Sequence, residues 1–297
     1  MFFFNKKAAE IKIIQTPKDM IAESRRLRGR GRTIALVPTM GFFHEGHLSL
    51  MREAGKRAQR TVTSIFVNPA QFGPGEDFDT YPRDMDRDME MARNEGVDIV
   101  FAPVADDLYG PGFQTYVEPS DLARRLCGRS RPHHFRGVLT VVSKLFHMVR
   151  PHVAVFGEKD YQQLVIVKRM VRDLDFDVEI AGAPIVREKN GLAMSSRNAR
   201  LKPGQTPSAL SLFAALGKAR EMVEAGTLSS PKMIGAAAEI IQSRPETSID
   251  YISICDPDTL EDVDVIERPA LMALAVRVGK IRLIDNALLC PKTFRPN

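Results

Sequence analysis

The sequence predicts an α/β protein with a doubly wound parallel sheet, followed by a smaller α+β domain. The chain has 297 residues, 44% of them hydrophobic and 27% charged, which is typical of a soluble globular protein with one large domain or two ordinary ones. Up to about residue 186, short apolar runs alternate with amphipathic stretches of helical length. After that point the alternation stops, and two helices precede several short strands.

The first predicted domain, residues 1–186, consists of buried strands that alternate with helices. Thr33–Thr39 is a short apolar run, as expected for a strand of a parallel sheet covered on both faces. Gly46–Arg60 follows with apolar residues at helical spacing. The other predicted strands are Val62–Val67, Asp98–Phe101, Val153–Phe156 and Val178–Val186, and the other helices are Asp84–Glu95, Phe135–Val149 and Tyr161–Asp175.

The second predicted domain, residues 187–297, has a different pattern. Two helices precede three short strands, and Gly279 suggests a hairpin turn between the last two. We expect this domain to close over the active site, with the loop Arg187–Asn198 at the junction, since ligands often bind between domains. The predicted helices are Pro207–Ala225 and Pro231–Ser243, and the predicted strands are Ile249–Cys255, Ala270–Val278 and Ile281–Ile284.

Composition argues against several classes of protein. The three cysteines are far apart and form no CxxC pair, which disfavours a disulfide framework or a zinc cluster and favours a reducing cytoplasm. No apolar run approaches the roughly 20 residues of a membrane helix. In Met1–Lys7 the apolar residues precede the charges, so we expect no targeting segment.

The net charge of +5 is mild but unevenly distributed. Leu122–Lys159 contains eight Lys and Arg residues against one Glu, which favours a small, highly charged anion as the ligand. An RNA-binding module is the alternative from another class. No RNP motif or Trp supports it, and it would require steeply salt-dependent RNA binding.

The strongest chemical signal is the segment Pro38–His47, which connects the first strand to its helix. In an open parallel sheet, ligands bind outside the carboxyl ends of strands, and a helix N-terminus favours phosphate. His44 and His47 are three residues apart and can face one phosphate chain, while Gly41 and Gly46 permit close backbone approach. The spacing matches neither G-x-G-x-x-G, nor a P-loop, nor H-E-x-x-H.

Two further polar segments follow predicted strands. In Asn68–Pro74, Gln71 offers a donor and an acceptor to a small polar substrate, although the segment could be an ordinary turn. In Gly157–Gln163, Lys159 can meet phosphate and Asp160 can hold a ribose hydroxyl or a magnesium-bound water, although a surface ion pair is the alternative.

Two loops carry hydroxyl and guanidinium groups. Met194–Asn198 contains two serines and an arginine, which suit a phosphate clamp, although a polar loop with a helix cap has the same composition. Arg129–Gly137 either binds an anion ahead of a helix or forms a basic surface turn.

Taken together, the segments PTMGFFHEGH, VNPAQFGP, GEKDYQQ and AMSSRN resemble the pantoate–β-alanine ligase family. This family belongs to the nucleotidyltransferase superfamily that shares HxGH with class I aminoacyl-tRNA synthetases. The resemblance implies a Rossmann-like fold, a cytoplasmic homodimer, and ATP and Mg2+ as requirements. It also implies the reaction: pantoate and ATP give pantoyl adenylate and pyrophosphate, and β-alanine then releases AMP. Pantoate, β-alanine and ATP would be the partners, without nucleic acid or membrane.

The resemblance also implies residue roles. His47 would be the proton donor, acting with His44, Lys159, Ser195, Ser196 and Arg197. Gln71 would bind both pantoate and β-alanine, and Asp88 would belong to the magnesium site. Pantoate would further contact Asn68, Gln163, Arg131 and His134. ATP would contact Met40, Gly41, Phe42, Phe43, His44, Glu45, Gly46, His47, Gly157, Glu158, Lys159, Asp160, Val186, Met194, Ser195, Ser196 and Arg197.

Two features depart from the family pattern. Phe42-Phe43 stands where Ala-Leu is usual, and Phe2–Phe4 is an N-terminal extension without a functional interpretation. The alternative enzyme is a nucleotidyltransferase that makes a stable nucleotide product. Such an enzyme would release pyrophosphate without AMP.

Overall fold

The computed structural model describes residues 10–292 and 294, so the predictions for Met1–Lys7 and Phe2–Phe4 lie outside the described residues. Its strands are β1 (Lys12–Ile14), β2 (Ile34–Thr39), β3 (Arg60–Ile65), β4 (Ile99–Phe101), β5 (Val153–Gly157), β6 (Glu179–Ala183), β7 (Thr247–Cys255), β8 (Ala270–Val278) and β9 (Ile281–Leu289). Its α-helices are α1 (Pro17–Gly29), α2 (Glu45–Arg57), α3 (Met85–Asn94), α4 (Ala105–Leu108), α5 (Cys127–Ser130), α6 (His134–Val149), α7 (Tyr161–Asp173), α8 (Thr206–Glu224) and α9 (Ser230–Gln242).

The chain divides into two compact units. Of the described residues, the second unit contains Ser120–Pro132, Lys159–Gln162 and those from Ile185 onward, and the first contains the others. Two segments inside the predicted first domain, 120–132 and 159–162, therefore group with the second unit. The Gln162 side chain links these segments, because its amide accepts the Cys127 N–H at 3.0 Å and donates to the carbonyls of the 122–125 turn.

The first unit contains a six-stranded sheet in the order β1-β4-β3-β2-β5-β6, and every pair is parallel. This confirms the predicted parallel sheet. From β2 the chain adds β3 and β4 on one side and later β5 and β6 on the other. The order therefore reverses between β2 and β5. In open parallel sheets, the crevice outside the carboxyl ends of two such strands is where ligands bind.

The core of the first unit explains why β2 is almost entirely apolar. Residues 34–37 are fully buried, as expected for a strand with both faces covered by helices. Phe43 and Met51, from the segment after β2, pack into the same core. Four of these elements had not been predicted from the sequence: the edge strand β1, α1, which begins after the cap Thr16, and the short helices α4 and α5.

The second unit contains an antiparallel sheet in the order β7-β8-β9, on whose core α8 and α9 pack. Gly279, with a φ of +57°, lies in the predicted turn between β8 and β9. Strand β9 continues through Leu289, five residues beyond the predicted end, because β8 pairs with it over its whole length and the buried polar Asp285 and Asn286 have partners in this unit. Within residues 10–292 and 294, no helix is long and apolar enough to cross a membrane.

Candidate active site

The segment Thr39–His47, which we call the HxGH loop, leaves β2 at the point where the sheet order reverses. The Thr39 hydroxyl donates to the Ser64 carbonyl at 2.6 Å and accepts the Gly41 N–H at 3.2 Å. Gly41 and Phe42 have φ values of +81° and +52°, so the chain turns through two consecutive left-handed residues. A Cβ on Gly41 would lie 2.9 Å from a carboxylate oxygen of Asp88, which leaves no room for a side chain.

The two histidines lie side by side at the start of α2. His44 is the residue that precedes the helix, His47 lies in its first turn, and their ring centroids are 4.1 Å apart. The backbone N–H of His44 donates to Nδ1 of His47 at 3.3 Å, which assigns the proton of the neutral His47 ring to Nε2. The pair therefore stands at a helix N-terminus, where the helix dipole favours anions.

Asp88, from the first turn of α3, binds the backbone of the HxGH loop. Its Oδ2 accepts the Phe42 N–H at 2.6 Å, its Oδ1 accepts the Phe43 N–H at 2.7 Å, and the residue is 1% exposed. Burial raises the pKa of the Asp88 carboxyl, while the two N–H groups oppose that rise. Each Asp88 oxygen thus accepts one N–H of the loop, and the part of Asp88 in a magnesium site stays a prediction.

Four residues expected to bind pantoate or ATP come together near the turn after β3. The Asn68 amide donates to Gln71 Oε1 and to the Gly137 carbonyl, both at 3.1 Å. Gln71 Nε2 lies 3.1 Å from Met40 Sδ, and the Gln71 carbonyl lies 2.8 Å from His134 Nδ1. The first unit thus clusters Met40, Asn68, Gln71 and His134, and their binding of pantoate or ATP stays a prediction.

Gly137 explains how α6 approaches this turn so closely. A Cβ at that position would lie 2.1 Å from the Ala70 carbonyl oxygen, so the helix packs directly on the backbone of the 69–71 turn. The close approach places His134 beside Gln71. The basic segment Arg129–Gly137 therefore has a packing role that its charge did not reveal.

The remaining residues of the first unit lie at the end of β5. Strand β5 lies next to β2, Gly157 is its last residue, and Glu158 follows it. Gln163 lies half-buried in the first turn of α7. In the second unit, the Lys159 carbonyl accepts a hydrogen bond from Asn286 Nδ2 at 3.0 Å, and Asp160 is exposed. Arg131, also in the second unit, is half-buried at the end of α5.

The segment Val186–Asn198 of the second unit, which we call the hairpin loop, contains the AMSSRN motif. The Met194 N–H donates to the Val186 carbonyl at 3.0 Å, which closes the hairpin. Ser195 caps the short 3-10 helix Ser196–Arg200, and its hydroxyl accepts the Arg197 N–H at 3.3 Å. The capping role that the composition allowed is therefore present, and the phosphate-binding role stays a prediction.

Several residues that hold the hairpin loop had not been singled out. Arg187 makes a bidentate pair with buried Asp285, at 2.6 and 2.9 Å, and the Asn198 amide donates to Glu188 and to the Ala193 carbonyl. The signal for Asp285 was a carboxylate in a largely apolar segment, where burial would require a partner.

Comparison with known proteins identifies the family. The family model described as pantoate-beta-alanine ligase matches residues 12–288. The chain belongs to the pantoate–β-alanine ligase family. Pantothenate synthetase of Desulfatibacillum aliphaticivorans is 54% identical over 95% of this chain and 100% of its own length. The enzyme of the same name from Geobacter sulfurreducens is 52% identical over 94% of this chain and 99% of its own length.

Solved structures of this ligase family share the fold. Pantothenate synthetase from Thermus thermophilus has a TM-score of 0.89 and 43% identity, covering 93% of this chain and 99% of its own. Pantoate-beta-alanine ligase from Francisella tularensis, a complex with beta-gamma ATP and beta-alanine, has a TM-score of 0.78 and 31% identity, covering 94% of this chain and 97% of its own. Within the described part of the chain, no group of three or more His, Cys, Asp or Glu residues is arranged to hold a metal ion.

Proposed function

We propose that this chain joins pantoate to β-alanine in an ATP-dependent reaction that passes through pantoyl adenylate. The observation that carries the proposal is an HxGH loop at the reversal point of the parallel sheet, in a chain that belongs to the pantoate–β-alanine ligase family. A pantoate carboxylate oxygen attacks the α-phosphorus and pyrophosphate leaves. The amine of β-alanine then attacks the acyl carbon, the C–O bond to AMP breaks, and the amine loses a proton.

The proposed roles follow from the position of each group. His47 donates the Nε2 proton toward the departing phosphate oxygens, and His44 stands beside it at the start of α2. Gln71 binds pantoate and lies near β-alanine, supported by Asn68 and His134. The residues proposed to bind ATP in the second unit are Lys159, Asp160, Val186, Met194, Ser195, Ser196 and Arg197.

Magnesium belongs to the proposal as the partner of the nucleotide. Mg2+ keeps much of its water shell and is bound mainly by substrate phosphates with few protein carboxylates, so no protein cage is required. When bound, it would neutralise negative charge on the phosphate chain. We further propose that the enzyme works in the cytoplasm and as a homodimer, the latter on family resemblance alone.

The test is a product analysis with ATP, Mg2+ and pantoate, with and without β-alanine. We expect one equivalent each of AMP and pyrophosphate per pantothenate formed when β-alanine is present. Without β-alanine, pyrophosphate release should stop after about one turnover per site, because the adenylate stays bound.

The outcome also separates the alternatives. Continuous pyrophosphate release without AMP would identify a nucleotidyltransferase with a stable nucleotide product and would overturn the ligase assignment. Salt-dependent RNA binding that ATP leaves unchanged, together with no product, would favour the RNA-binding module.

A further inference from the structure

The backbone at residues 42 and 43 forms an anion-binding concavity that the protein itself fills. Successive N–H groups in a turn with left-handed residues converge on one point, and such nests commonly bind phosphate. Here both N–H groups point at the Asp88 carboxylate, at 2.6 and 2.7 Å. A phosphate placed on these two groups would have to displace a buried carboxylate. The nest therefore has a structural role, and we call the contacts of Asp88 and Arg87 with residues 42 and 43 the clasp.

Arg87 adds a second attachment from the neighbouring position on α3. Its Nη2 donates to the Phe43 carbonyl at 3.0 Å, and its guanidinium lies 5.1 Å from the centre of the Phe42 ring. Two consecutive residues of one helix thus bind the N–H groups, the carbonyl and a side chain of the same dipeptide. This dipeptide, Phe42-Phe43, is where the sequence departs from the Ala-Leu usual in the family.

The helix that carries the clasp is itself well anchored. The Asp84 carboxylate caps α3 by accepting the Arg87 N–H at 3.1 Å. Met89, the residue after Asp88, packs into the same core cluster as Phe43. Because α3 has its own cap and core contacts, it can serve as a fixed support for the HxGH loop.

We propose that Asp88 and Arg87 are positioning residues that fix the backbone of the HxGH loop and thereby place His44 and His47 for adenylate formation. Phe43 directly precedes His44, and the Phe43 ring lies 5.5 Å from the His47 ring, so a shift of the dipeptide reaches both imidazoles. The inference rests on the proposed function. It gives Asp88 a role different from the magnesium site implied by family resemblance, because each of its oxygens already accepts an N–H of the loop.

The central variant is Asp88→Asn, which keeps the size of the side chain but turns an amide NH2 toward one of the two N–H groups. We expect the single-turnover rate constant for pyrophosphate release with ATP and pantoate to fall about 100-fold, the loss typical of a misplacement near 1 Å. The Mg2+ concentration for half-maximal rate and the KM for ATP should stay unchanged. Asp86→Asn, an exposed position on the same helix with the same change in charge, is the matched control and should keep wild-type kinetics.

A metal ligand would behave differently. If Asp88 bound Mg2+, the half-saturating Mg2+ concentration would rise in Asp88→Asn, and excess Mg2+ or Mn2+ would restore the rate. That result would overturn the positioning role. Unchanged kinetics in Asp88→Asn would overturn it as well.

Two measurements do not depend on Asp88→Asn being well folded or active. In the ligand-free protein, the imidazole NMR signals of His44 and His47 should move in Arg87→Ala, while that of His147 on α6 stays fixed. Arg87→Ala should also lower kcat by about 3- to 10-fold, which corresponds to one hydrogen bond. In a double-mutant cycle, Arg87→Ala should lower kcat less in a Phe42→Ala background than in the wild type, because the contact with the Phe42 ring is already absent. Unmoved histidine signals, or strictly additive effects, would remove Arg87 from the clasp.

The wild-type chain is assayed in parallel, which separates the two proposals. If the wild type makes no AMP and pyrophosphate, the proposed function fails whatever the variants do. If the wild type is active and the Asp88 and Arg87 variants match it, only the positioning role fails.

Discussion

The HxGH loop and the hairpin loop are both polar segments proposed to contact ATP, and each is held by a buried carboxylate. In the HxGH loop, Asp88 binds backbone N–H groups directly beside His44. In the hairpin loop, Asp285 binds the side chain of Arg187, eight residues before Ser195. The first anchor therefore contacts the residues that directly precede His44, whereas the second lies at the base of the hairpin loop.

This difference separates positioning from stability. A change at the first anchor moves groups adjacent to the proposed proton donor, so it should appear mainly in kcat. A change at the second leaves a buried charge without its partner, so it should appear mainly in the free energy of unfolding.

The largest expected effect is on the chemistry of the HxGH loop. His47→Ala should lower the single-turnover rate constant of adenylate formation about 1000-fold, since a positioned proton donor contributes roughly 10²- to 10⁴-fold. The measurement is pyrophosphate release with ATP and pantoate, alongside the urea midpoint to show an intact fold. His147→Ala, an exposed histidine of the same unit, is the control and should match the wild type. A wild-type rate in His47→Ala would remove His47 from the mechanism.

The anchor of the hairpin loop should respond in stability. Arg187→Ala leaves Asp285, whose side chain is 2% exposed, without its bidentate partner, so we expect a loss of about 3–5 kcal/mol in urea unfolding. Arg187→Met combined with Asp285→Leu should recover much of that loss, because no buried charge remains. If the single variant loses under about 1 kcal/mol, the pair behaves as a surface ion pair and the distinction drawn here fails.

The sequence predicted the features of the candidate site that depend on local pattern. Apolar runs that stop at Thr39 and Phe156 predicted β2 and β5, and the position of the histidines after β2 predicted a site at the sheet edge. Tertiary partners could not be predicted in this way. That Asp88 meets the amides of residues 42 and 43, or Asp285 meets Arg187, depends on contacts between residues 45 or more positions apart.

The concentration of basic residues in Leu122–Lys159 shows the same limit. Charge counting favoured an anionic ligand, but part of this charge has protein partners. Arg125 pairs with Glu261 at 3.0 Å, and the Arg136 guanidinium lies 3.7 Å from the centre of the Tyr116 ring. Net charge along a segment does not distinguish a side chain that binds a ligand from one that stabilises the fold.

Two glycines allow the loops to be compared with one type of substitution. Gly41 (φ +81°) and Gly191 (φ +98°) are both left-handed, and a Cβ would lie 2.9 Å from Asp88 in the first and 2.4 Å from Phe213 in the second. Each change to Ala should destabilise the protein by about 1–3 kcal/mol, from backbone strain and overpacking. Gly41→Ala should also lower kcat strongly, whereas Gly191→Ala should leave kcat near the wild-type value. Equal kcat losses would show that the two anchors act alike.

The smallest expected effect concerns the ion pairs of Glu23, which lie outside both loops and lose their stabilising effect in acid. Glu23 on α1 is 6% exposed and accepts hydrogen bonds from Lys12 at 2.9 Å and from Arg26 Nε at 3.0 Å. The Arg26 guanidinium beside it is the main cause that lowers the pKa of Glu23 from 4.5 to about 2.

Because the folded pKa lies below the unfolded value, the stabilisation from Glu23 is complete above about pH 4.5 and is lost as the pH falls toward 2. Its partners are half-exposed, so screening limits the contribution to about 1–2 kcal/mol. In urea unfolding, Glu23→Gln should be less stable than the wild type by this amount at pH 6, and the gap should narrow steadily between pH 4.5 and pH 3. A gap that stays constant over that range would show that the loss comes from altered packing of α1, because a packing defect does not titrate.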